Sequence, residues 1–232
     1  MTVILTGASG GIGCKIAEAL CNKGYNVVIT GRNEEKLSSI ADKLSGCIAV
    51  PGDISDLSFQ DELLKKSFEC FGSVDCIINC AGIAQHNDFA DTEEKLYDDI
   101  MKLNVKAPYF LCQKALPYLK KSDEATIINI ASVVAHKGYP CQSVYAASKH
   151  ALLGFSKSLA NEVYKDNIRV HVISPGAVFT EMVALARPDL TPDGMTLPED
   201  IAETVLFLIK MRSTNAVIDE LQIHRTNKEP FN

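Results

Sequence analysis

The sequence lacks several features that identify specialised classes of protein. Eight cysteines are present, but none forms a Cys-x-x-Cys pair, and the closest two, Cys76 and Cys80, lie in an apolar run. This pattern argues against a zinc or disulfide framework and predicts buried, reduced thiols. The five histidines are dispersed without the spacing of metal ligands, so we expect no metal site.

Long apolar runs and blocks of basic residues are also missing. No apolar run approaches the roughly 20 residues of a membrane span, and the opening TVILTGASGG lacks the basic and apolar regions of a signal peptide. The formal net charge is −6, with Lys and Arg scattered. We therefore expect a cytoplasmic protein that binds neither nucleic acid nor membrane.

What the chain contains is a repeated alternation of short β-branched runs and longer helical patterns. The predicted strands are Val3–Thr6, Asn26–Thr30, Cys47–Val50, Val74–Asn79, Thr126–Ile130, Arg169–Ile173 and Ala216–Leu221. The predicted helices lie near 12–24, 34–45, 58–71, 93–120, 142–165 and 199–211. Continuous runs of Val, Ile and Leu are typical of strands that helices cover on both faces.

This alternation predicts an α/β fold: a single Rossmann-like, doubly wound parallel sheet of about seven strands with helices on both faces. We expect residues 1–232 to form one domain, since no linker divides them. Pro108 is expected to break the helical stretch 93–120 into two helices, because proline disfavours helical conformation in the preceding residue. The irregular segment 180–198, with three prolines, is predicted to be a loop or substrate lid.

A glycine-rich turn joins the first predicted strand to the first helix. Gly7, Gly11 and Gly13 form the pattern T-G-x-x-x-G-x-G, and Gly10 adds G-x-x-G-x-x-G. Backbone N–H groups at such a helix start are unpaired and can bind a phosphate if no side chain intervenes. A turn that only needs positive φ is the alternative, but the position directly after the first strand favours phosphate binding.

The residues after the second strand bear on the choice of cofactor. NAD enzymes of this architecture usually place an acid there to hold the ribose 2′-hydroxyl. Here Gly31 stands at that position and Arg32 follows it. A guanidinium group can pair with a 2′-phosphate, so NADP(H) is favoured over NAD(H). A solvated arginine at a helix start is the alternative.

Tyr145 and Lys149 are separated by one helical turn, which places both on one face of a helix. The pair alone is a weak signal, but its surroundings strengthen it. Ser132 follows a predicted strand end, where open α/β proteins bind ligands. An apolar stripe predicts that Tyr145 and Lys149 lie at the edge of the buried face. That stripe consists of Val144, Ala147, Ala151, Phe155, Leu159 and Val163.

Together these motifs resemble the compact short-chain dehydrogenase/reductase family over nearly the whole chain. The motifs, in order, are Gly7-x-x-x-Gly11-x-Gly13, Asn79-x-Ala81-Gly82, Asn104, Ser132, Tyr145-x-x-x-Lys149 and Pro175-Gly176. The resemblance implies an NADP(H)-dependent oxidoreductase of the carbonyl reductase type. Such an enzyme transfers a hydride between the nicotinamide and a small or medium carbonyl or alcohol substrate.

The resemblance also implies roles for individual residues. Tyr145 is expected to act as general acid and base, with the ammonium group of Lys149 lowering its pKa. The Ser132 hydroxyl would donate to the carbonyl oxygen. Asn104 would bend its helix and hold a water that relays protons. The residues implied to bind the cofactor are Gly7, Ser9, Gly11, Ile12, Gly13, Arg32, Asp53, Ile54, Asn79, Ala81, Gly82, Tyr145, Lys149, Pro175, Gly176, Val178 and Thr180.

Three expectations compete with other interpretations. Asp53 is equally suited to cap a turn or a helix. The pattern created by Gly10 is also typical of extended epimerases and dehydratases, although the stretch after Thr180 is short for their substrate domain. A non-enzymatic NADPH sensor is a third possibility, which the presence of all four catalytic residues disfavours. By the same resemblance, helices 93–120 and 142–165 would pair two copies in a homodimer or homotetramer.

Overall fold

The computed structural model describes residues 1–180, 183 and 191–228, and in this part of the chain seven strands form one parallel sheet. The strands are β1 (Thr2–Thr6), β2 (Asn26–Thr30), β3 (Cys47–Ala49), β4 (Cys76–Asn79), β5 (Thr126–Ile130), β6 (Arg169–Pro175) and β7 (Glu220–Ile223). Their order is β3-β2-β1-β4-β5-β6-β7. The doubly wound Rossmann-like sheet predicted from the sequence is therefore confirmed.

Helices cover both faces of the sheet. They are α1 (Gly11–Asn22), α2 (Glu34–Ala41), α3 (Leu57–Phe71), α4 (Glu94–Met101), α5 (Ala107–Leu119), α6 (Ser143–Val163) and α7 (Pro198–Met211). One core lies between the sheet and helices α1, α2 and α7. The other lies on the opposite face, against α3, α5 and the end of α6. No helix in the described ranges is long and apolar enough to cross a membrane.

The strand order reverses between β1 and β4, which are direct neighbours. Leu5 in β1 pairs with Ile78 in β4, so both strands end at the same edge of the sheet. Loops that leave two neighbouring strands in opposite directions open a crevice, and ligands of open α/β proteins bind in such crevices. The strand order therefore predicts a ligand site at the turns after Thr6 and Asn79.

The predicted division of 93–120 into two helices is confirmed, since α4 ends at Met101 and α5 begins at Ala107. A π-helical stretch at Lys102–Lys106 joins them, so the chain stays helical where a break was expected. Pro108 lies in the first turn of α5. In a regular α-helix its N–H would donate to the carbonyl of Asn104, but proline has no N–H group. The wider turn accommodates this missing hydrogen bond without ending the helix, and it carries Asn104.

The last strand begins later than predicted, at Glu220, because the residues before it are held in a turn. The Arg169 guanidinium donates to the carbonyls of Met211 at 2.7 Å, Thr214 at 2.5 Å and Ala216 at 3.1 Å. Of these three carbonyls, that of Ala216 lies in the predicted strand, and it accepts from this side chain. Strand β4 also begins later than predicted.

The apolar stripe predicted for α6 is confirmed only in part. Val144 and Val163 are buried, and Phe155 and Leu159 pack against the core. Ala147 is exposed, however, and polar residues share the buried face. The buried residues of α6 are Val144, Ala146, Ser148, Lys149, Leu152, Leu153, Ser156 and Val163. Two of the buried hydroxyls have partners from other elements: Ser148 accepts from Asn104, and Ser156 accepts from Asn129. Hydrogen bonding from neighbouring elements thus sets the orientation of this helix.

Candidate active site

Gly7 allows the turns after β1 and β4 to contact each other. Its φ is +73°, and a Cβ there would lie 2.7 Å from both Cα and N of Ala81. The Thr6 hydroxyl accepts from the backbone N–H groups of Cys80 and Ala81, both at 3.1 Å. Since real Cβ atoms do not tolerate such contacts, glycine is required here by backbone packing as well as by conformation.

The start of α1 suits a phosphate group. Its N-cap, Gly10, provides no side-chain hydrogen bond, so among the described residues the first N–H groups of the helix have no side-chain acceptor. A Cβ at Gly13 would lie 2.4 Å from the Gly7 carbonyl oxygen, which fixes the tight turn. Gly11 and Ile12 form the partly open first turn of the helix. At Gly11, a Cβ would face the Thr180 side chain at 3.3 Å.

The turn after β2 lies beside the glycine turn. A Cβ at Gly31 would be 3.2 Å from the Ser9 hydroxyl oxygen, so Ser9 and the neighbouring Arg32 belong to one corner of the crevice. Arg32 is exposed.

Asp53 is engaged in its own turn. Its carboxylate accepts from the backbone N–H of Ser55 at 2.9 Å and from the Ser55 hydroxyl at 2.8 Å. Burial raises the pKa of Asp53, but these hydrogen bonds and the charges of Lys102 and Arg32 outweigh it, and the net pKa is lowered. The turn-capping interpretation therefore accounts for Asp53. The neighbouring Ile54 is buried.

The Asn79 side chain is directed into the protein and not toward the crevice. Its amide nitrogen donates to Asn129 Oδ1 at 2.8 Å and to Cys112 Sγ at 3.4 Å. It thereby ties β4 to β5, and only its backbone is available to the crevice. Gly82, three residues later, lies beside Asn104 and Lys149. A Cβ there would be 3.2 Å from Asn104 Oδ1 and 3.6 Å from Lys149 Nζ.

Asn104 uses its whole side-chain amide for structure. Its Oδ1 accepts from the Ile83 N–H at 2.9 Å, and its Nδ2 donates to the Ile83 carbonyl at 2.9 Å and to the Ser148 hydroxyl at 3.0 Å. Ser148 in turn donates to the carbonyl of Tyr145 at 2.7 Å. The π-helical segment, the loop after β4 and helix α6 are thus joined by one buried residue.

Lys149 is buried, with 5% of its surface exposed. Its amine donates to the Ile130 carbonyl at the end of β5, at 2.8 Å, and lies 5.7 Å from the centre of the Tyr145 ring. Burial lowers the pKa of Lys149 to about 8, and the nearby Cys80 thiol opposes this with a smaller effect. The amine is therefore mostly protonated at pH 7.

The Ser132 hydroxyl lies near that of Tyr145 and lowers its pKa. Ser132 lies just after β5, as the N-cap of a 3-10 turn at Val133–Ala135. Burial raises the pKa of Tyr145, and the neighbouring Ser132 only partly offsets this. Burial thus determines the direction of the Tyr145 pKa shift in this structure, and the lowering by Lys149 that the sequence predicts stays a prediction.

The segment after β6 folds back over the start of α1. The Gly176 N–H donates to the Ile223 carbonyl at 2.8 Å, and the Phe179 N–H donates to the Thr196 carbonyl at 2.8 Å. Val178 pairs with Thr196 as an isolated bridge, and Thr180 then reaches Gly11. Pro175 ends β6. In the lid predicted within 180–198, residues 181, 182 and 184–190 lie outside the described part of the chain.

Three residues that support this site were not found from the sequence: Thr6, Gln85 and Ser148. Thr6 directly precedes the glycine turn, and its position in that motif was a usable signal. Gln85 and Ser148 act through contacts with residues that are distant in sequence, and no local pattern marks them.

Comparison with known proteins agrees with this geometry. Residues 1–191 match the model of the family described as short chain dehydrogenase. An uncharacterized oxidoreductase of Staphylococcus aureus is 35% identical over 208 residues, 89% of each chain. Carbonyl reductase family member 4 of Xenopus laevis is 34% identical over 209 residues, 88% of this chain and 89% of that protein.

Solved structures are similar as well. A dehydrogenase/reductase from Sinorhizobium meliloti superposes with a TM-score of 0.87 at 28% identity, covering 98% of this chain and 95% of that one. The chain belongs to the short chain dehydrogenase family. It is therefore an oxidoreductase, an enzyme that acts on a small molecule with a nicotinamide cofactor.

Packing at Gly7 can be tested separately from its backbone conformation. Gly7 and Gly72 have similar positive φ values, +73° and +75°, but nothing lies within 4 Å of a Cβ at Gly72. Gly72→Ala should therefore cost only the left-handed conformation, about 1 kcal/mol of unfolding free energy. Gly7→Ala should cost at least about 3 kcal/mol, because the turn after β4 must also move. Equal losses in denaturant titrations would contradict the contact between the two turns.

Proposed function

We propose that this enzyme reduces a small or medium carbonyl compound to the alcohol with NADPH, using Tyr145 as the general acid. One observation carries the proposal: the hydroxyls of Ser132 and Tyr145 and the amine of Lys149 converge at the carboxyl edge of the sheet. Gly82 lies next to Lys149 and has no side chain that would fill the crevice. A nicotinamide, when bound, supplies the hydride for such a reduction.

Ser132 and Tyr145 would act on the substrate oxygen. Negative charge develops on this oxygen as the hydride arrives, and a hydroxyl donor placed there stabilises it. The raised pKa of Tyr145 keeps the phenol protonated at neutral pH, so a proton is available for transfer.

Lys149 would stabilise the phenolate that remains after proton transfer. Only one of the three N–H groups of its ammonium is used by the Ile130 carbonyl. The remaining donors can bind the ribose hydroxyls beside Gly82, and the positive charge favours phenolate. The Asn104 side-chain amide is bonded to Ile83 and Ser148. The proton relay that the sequence predicts would therefore use the backbone carbonyl of Asn104. Pro108 has no N–H group that could donate to this carbonyl, as a regular helix would require.

The cofactor turns support the same proposal. The N–H groups of Gly11, Ile12 and Gly13 would hold the pyrophosphate at the start of α1. Ala81 and Gly82 would contact the nicotinamide ribose through their backbone. The segment after β6 would close over the nicotinamide end of the cofactor, through Pro175, Gly176, Val178 and Thr180. Three expectations from the sequence stay predictions: the lid within 180–198, the pairing of two copies through α4–α5 and α6, and the one-domain organisation.

The chemical role of Tyr145 is tested by removing its hydroxyl group. Tyr145→Phe should lower kcat at least about a thousandfold, because general acid catalysis of this kind contributes that order of rate. NADPH affinity should change less than about threefold. Substrates are drawn from aldehydes, diketones, ketoacyl thioesters and quinones, and turnover is followed by NADPH oxidation.

Tyr164→Phe is the matched control, since Tyr164 lies just beyond the same helix and is 64% exposed. This variant should keep the activity of the unmodified protein. A Tyr145→Phe enzyme as active as the control would overturn the proposal.

Arg32 supports a preference for NADPH over NADH. It is exposed in the corner formed with Ser9 and Gly31, and glycine stands at the position where an NAD enzyme of this architecture usually carries an acid. Arg32→Ala should lower the ratio of kcat/KM for NADPH to that for NADH at least about tenfold, because hydrogen bonds between charged groups contribute about 1.5–3 kcal/mol. Lys43→Ala, an exposed charge removal just after α2, is the control. An unchanged ratio in Arg32→Ala would assign cofactor choice to other residues.

A further inference from the structure

The first N–H groups of α6 are bonded by a residue from another part of the chain. The N-cap, Gln142, provides no side-chain hydrogen bond. Instead, the side-chain oxygen of Gln85 accepts from the Val144 N–H at 2.8 Å and from the Tyr145 N–H at 3.3 Å. Helix starts normally satisfy such groups with a nearby side chain or water. Here the acceptor belongs to the loop after β4.

Both ends of the Gln85 amide are used. The residue is buried, with 3% of its surface exposed. Its nitrogen donates to the Thr92 hydroxyl at 3.0 Å, which fixes the direction of the amide and places the oxygen at the helix start. A buried amide with both ends bonded is held in one orientation, because turning it would leave donors and acceptors unpaired.

The loop that carries Gln85 is itself anchored on both sides. Ile83 is bound at its N–H and at its carbonyl by Asn104. The Asn87 N–H donates to the Cys141 carbonyl at 3.2 Å, just before α6. Cys141 has a φ of +62°, a left-handed conformation that a cysteine adopts only when its surroundings hold it there. The Gln85 oxygen thus comes from a rigid support.

We propose that Gln85 is a positioning residue for Tyr145, a role that rests on the proposed reductase function. Because the oxygen binds the backbone of Tyr145 itself, its place sets where the phenol lies relative to Ser132 and Lys149. A displacement of about 1 Å in a catalytic group can cost about a hundredfold in rate. A cap with only a structural role would instead affect stability and leave turnover unchanged.

The test compares two substitutions at Gln85. Gln85→Met has a similar length and no comparable acceptor, so it should lower kcat about ten- to a hundredfold while the KM for NADPH changes less than threefold. Gln85→Glu keeps an oxygen at the helix start and should restore kcat to within about threefold of the unmodified protein. The substrate is the member of the carbonyl panel that the unmodified protein reduces fastest.

Asp75→Ala is the control for lost stability. Asp75 is also buried and accepts from a backbone N–H, that of Thr2 at 2.6 Å, but it lies at the opposite edge of the sheet. This variant should melt at a lower temperature and keep its kcat. Thr92→Val is the second variant, for use if Gln85→Met does not fold. It removes the hydroxyl that anchors the Gln85 amide and keeps the Gln85 oxygen, so it should give an intermediate loss of kcat.

Amide hydrogen exchange separates the cap from the catalytic role. The N–H groups of Val144 and Tyr145 should exchange at least about tenfold faster in Gln85→Met, or in Thr92→Val, than in the unmodified protein. Unchanged exchange rates at these two N–H groups would contradict the capping hydrogen bonds of Gln85. Faster exchange with an unchanged kcat would contradict the positioning role. If the unmodified protein reduces no member of the panel, the reductase proposal fails and the role in catalysis fails with it, while exchange still reports on the cap.

Discussion

The rest of the site depends on one ammonium group that is kept inside the protein. Burial lowers the pKa of Lys149 from 10.5 to about 8, which corresponds to a loss of about 3 kcal/mol in the stability of the charged form. The unfolded chain binds this proton more tightly than the folded chain does. This contribution to the free energy of unfolding therefore increases as the pH rises from about 8 to 10.5, and it is at its least favourable at neutral pH. In the proposed reaction, this buried charge stabilises the phenolate of Tyr145.

Four segments from separate parts of the chain hold that charge in place. The end of β5 supplies the Ile130 carbonyl, and α6 supplies the lysine one turn after Tyr145. The π-helical stretch brings Asn104 against Ser148, and the loop after β4 contributes Gly82, which leaves room beside the amine. These segments meet because β1, β4 and β5 are neighbours in a parallel sheet and end at one edge. Fold and site are thus consequences of the same strand order.

Local sequence patterns predicted the features that depend on local chemistry. The β-branched runs predicted the strands because strands covered on both faces need apolar residues throughout. The glycine turn was predictable because its backbone conformation and close contacts exclude side chains. The resemblance of the motifs to a known family also predicted the meeting of Ser132, Tyr145 and Lys149, and the structure brings these three together.

Features that depend on distant partners could not be predicted in this way. The buried face of α6 also contains Ser148 and Ser156, which bond Asn104 and Asn129 on other elements, so an apolar stripe described that face only in part. Asn79 occupies a family motif, yet its side chain bonds Asn129 and not the crevice. The direction of the Tyr145 pKa depends on burial, which the spacing of Tyr145 and Lys149 does not reveal.

The central claim is that the Lys149 amine is a buried, charged group with a strongly lowered pKa. Its ionisation can be followed by NMR in protein labelled with ¹³C and ¹⁵N at lysine, with the signal assigned by its loss in Lys149→Met. The account predicts a midpoint at about pH 8, well separated from the other lysines. A midpoint at the ordinary lysine value near 10.5 would contradict the account, because the amine would then be solvated and free of the desolvation on which the proposed site depends.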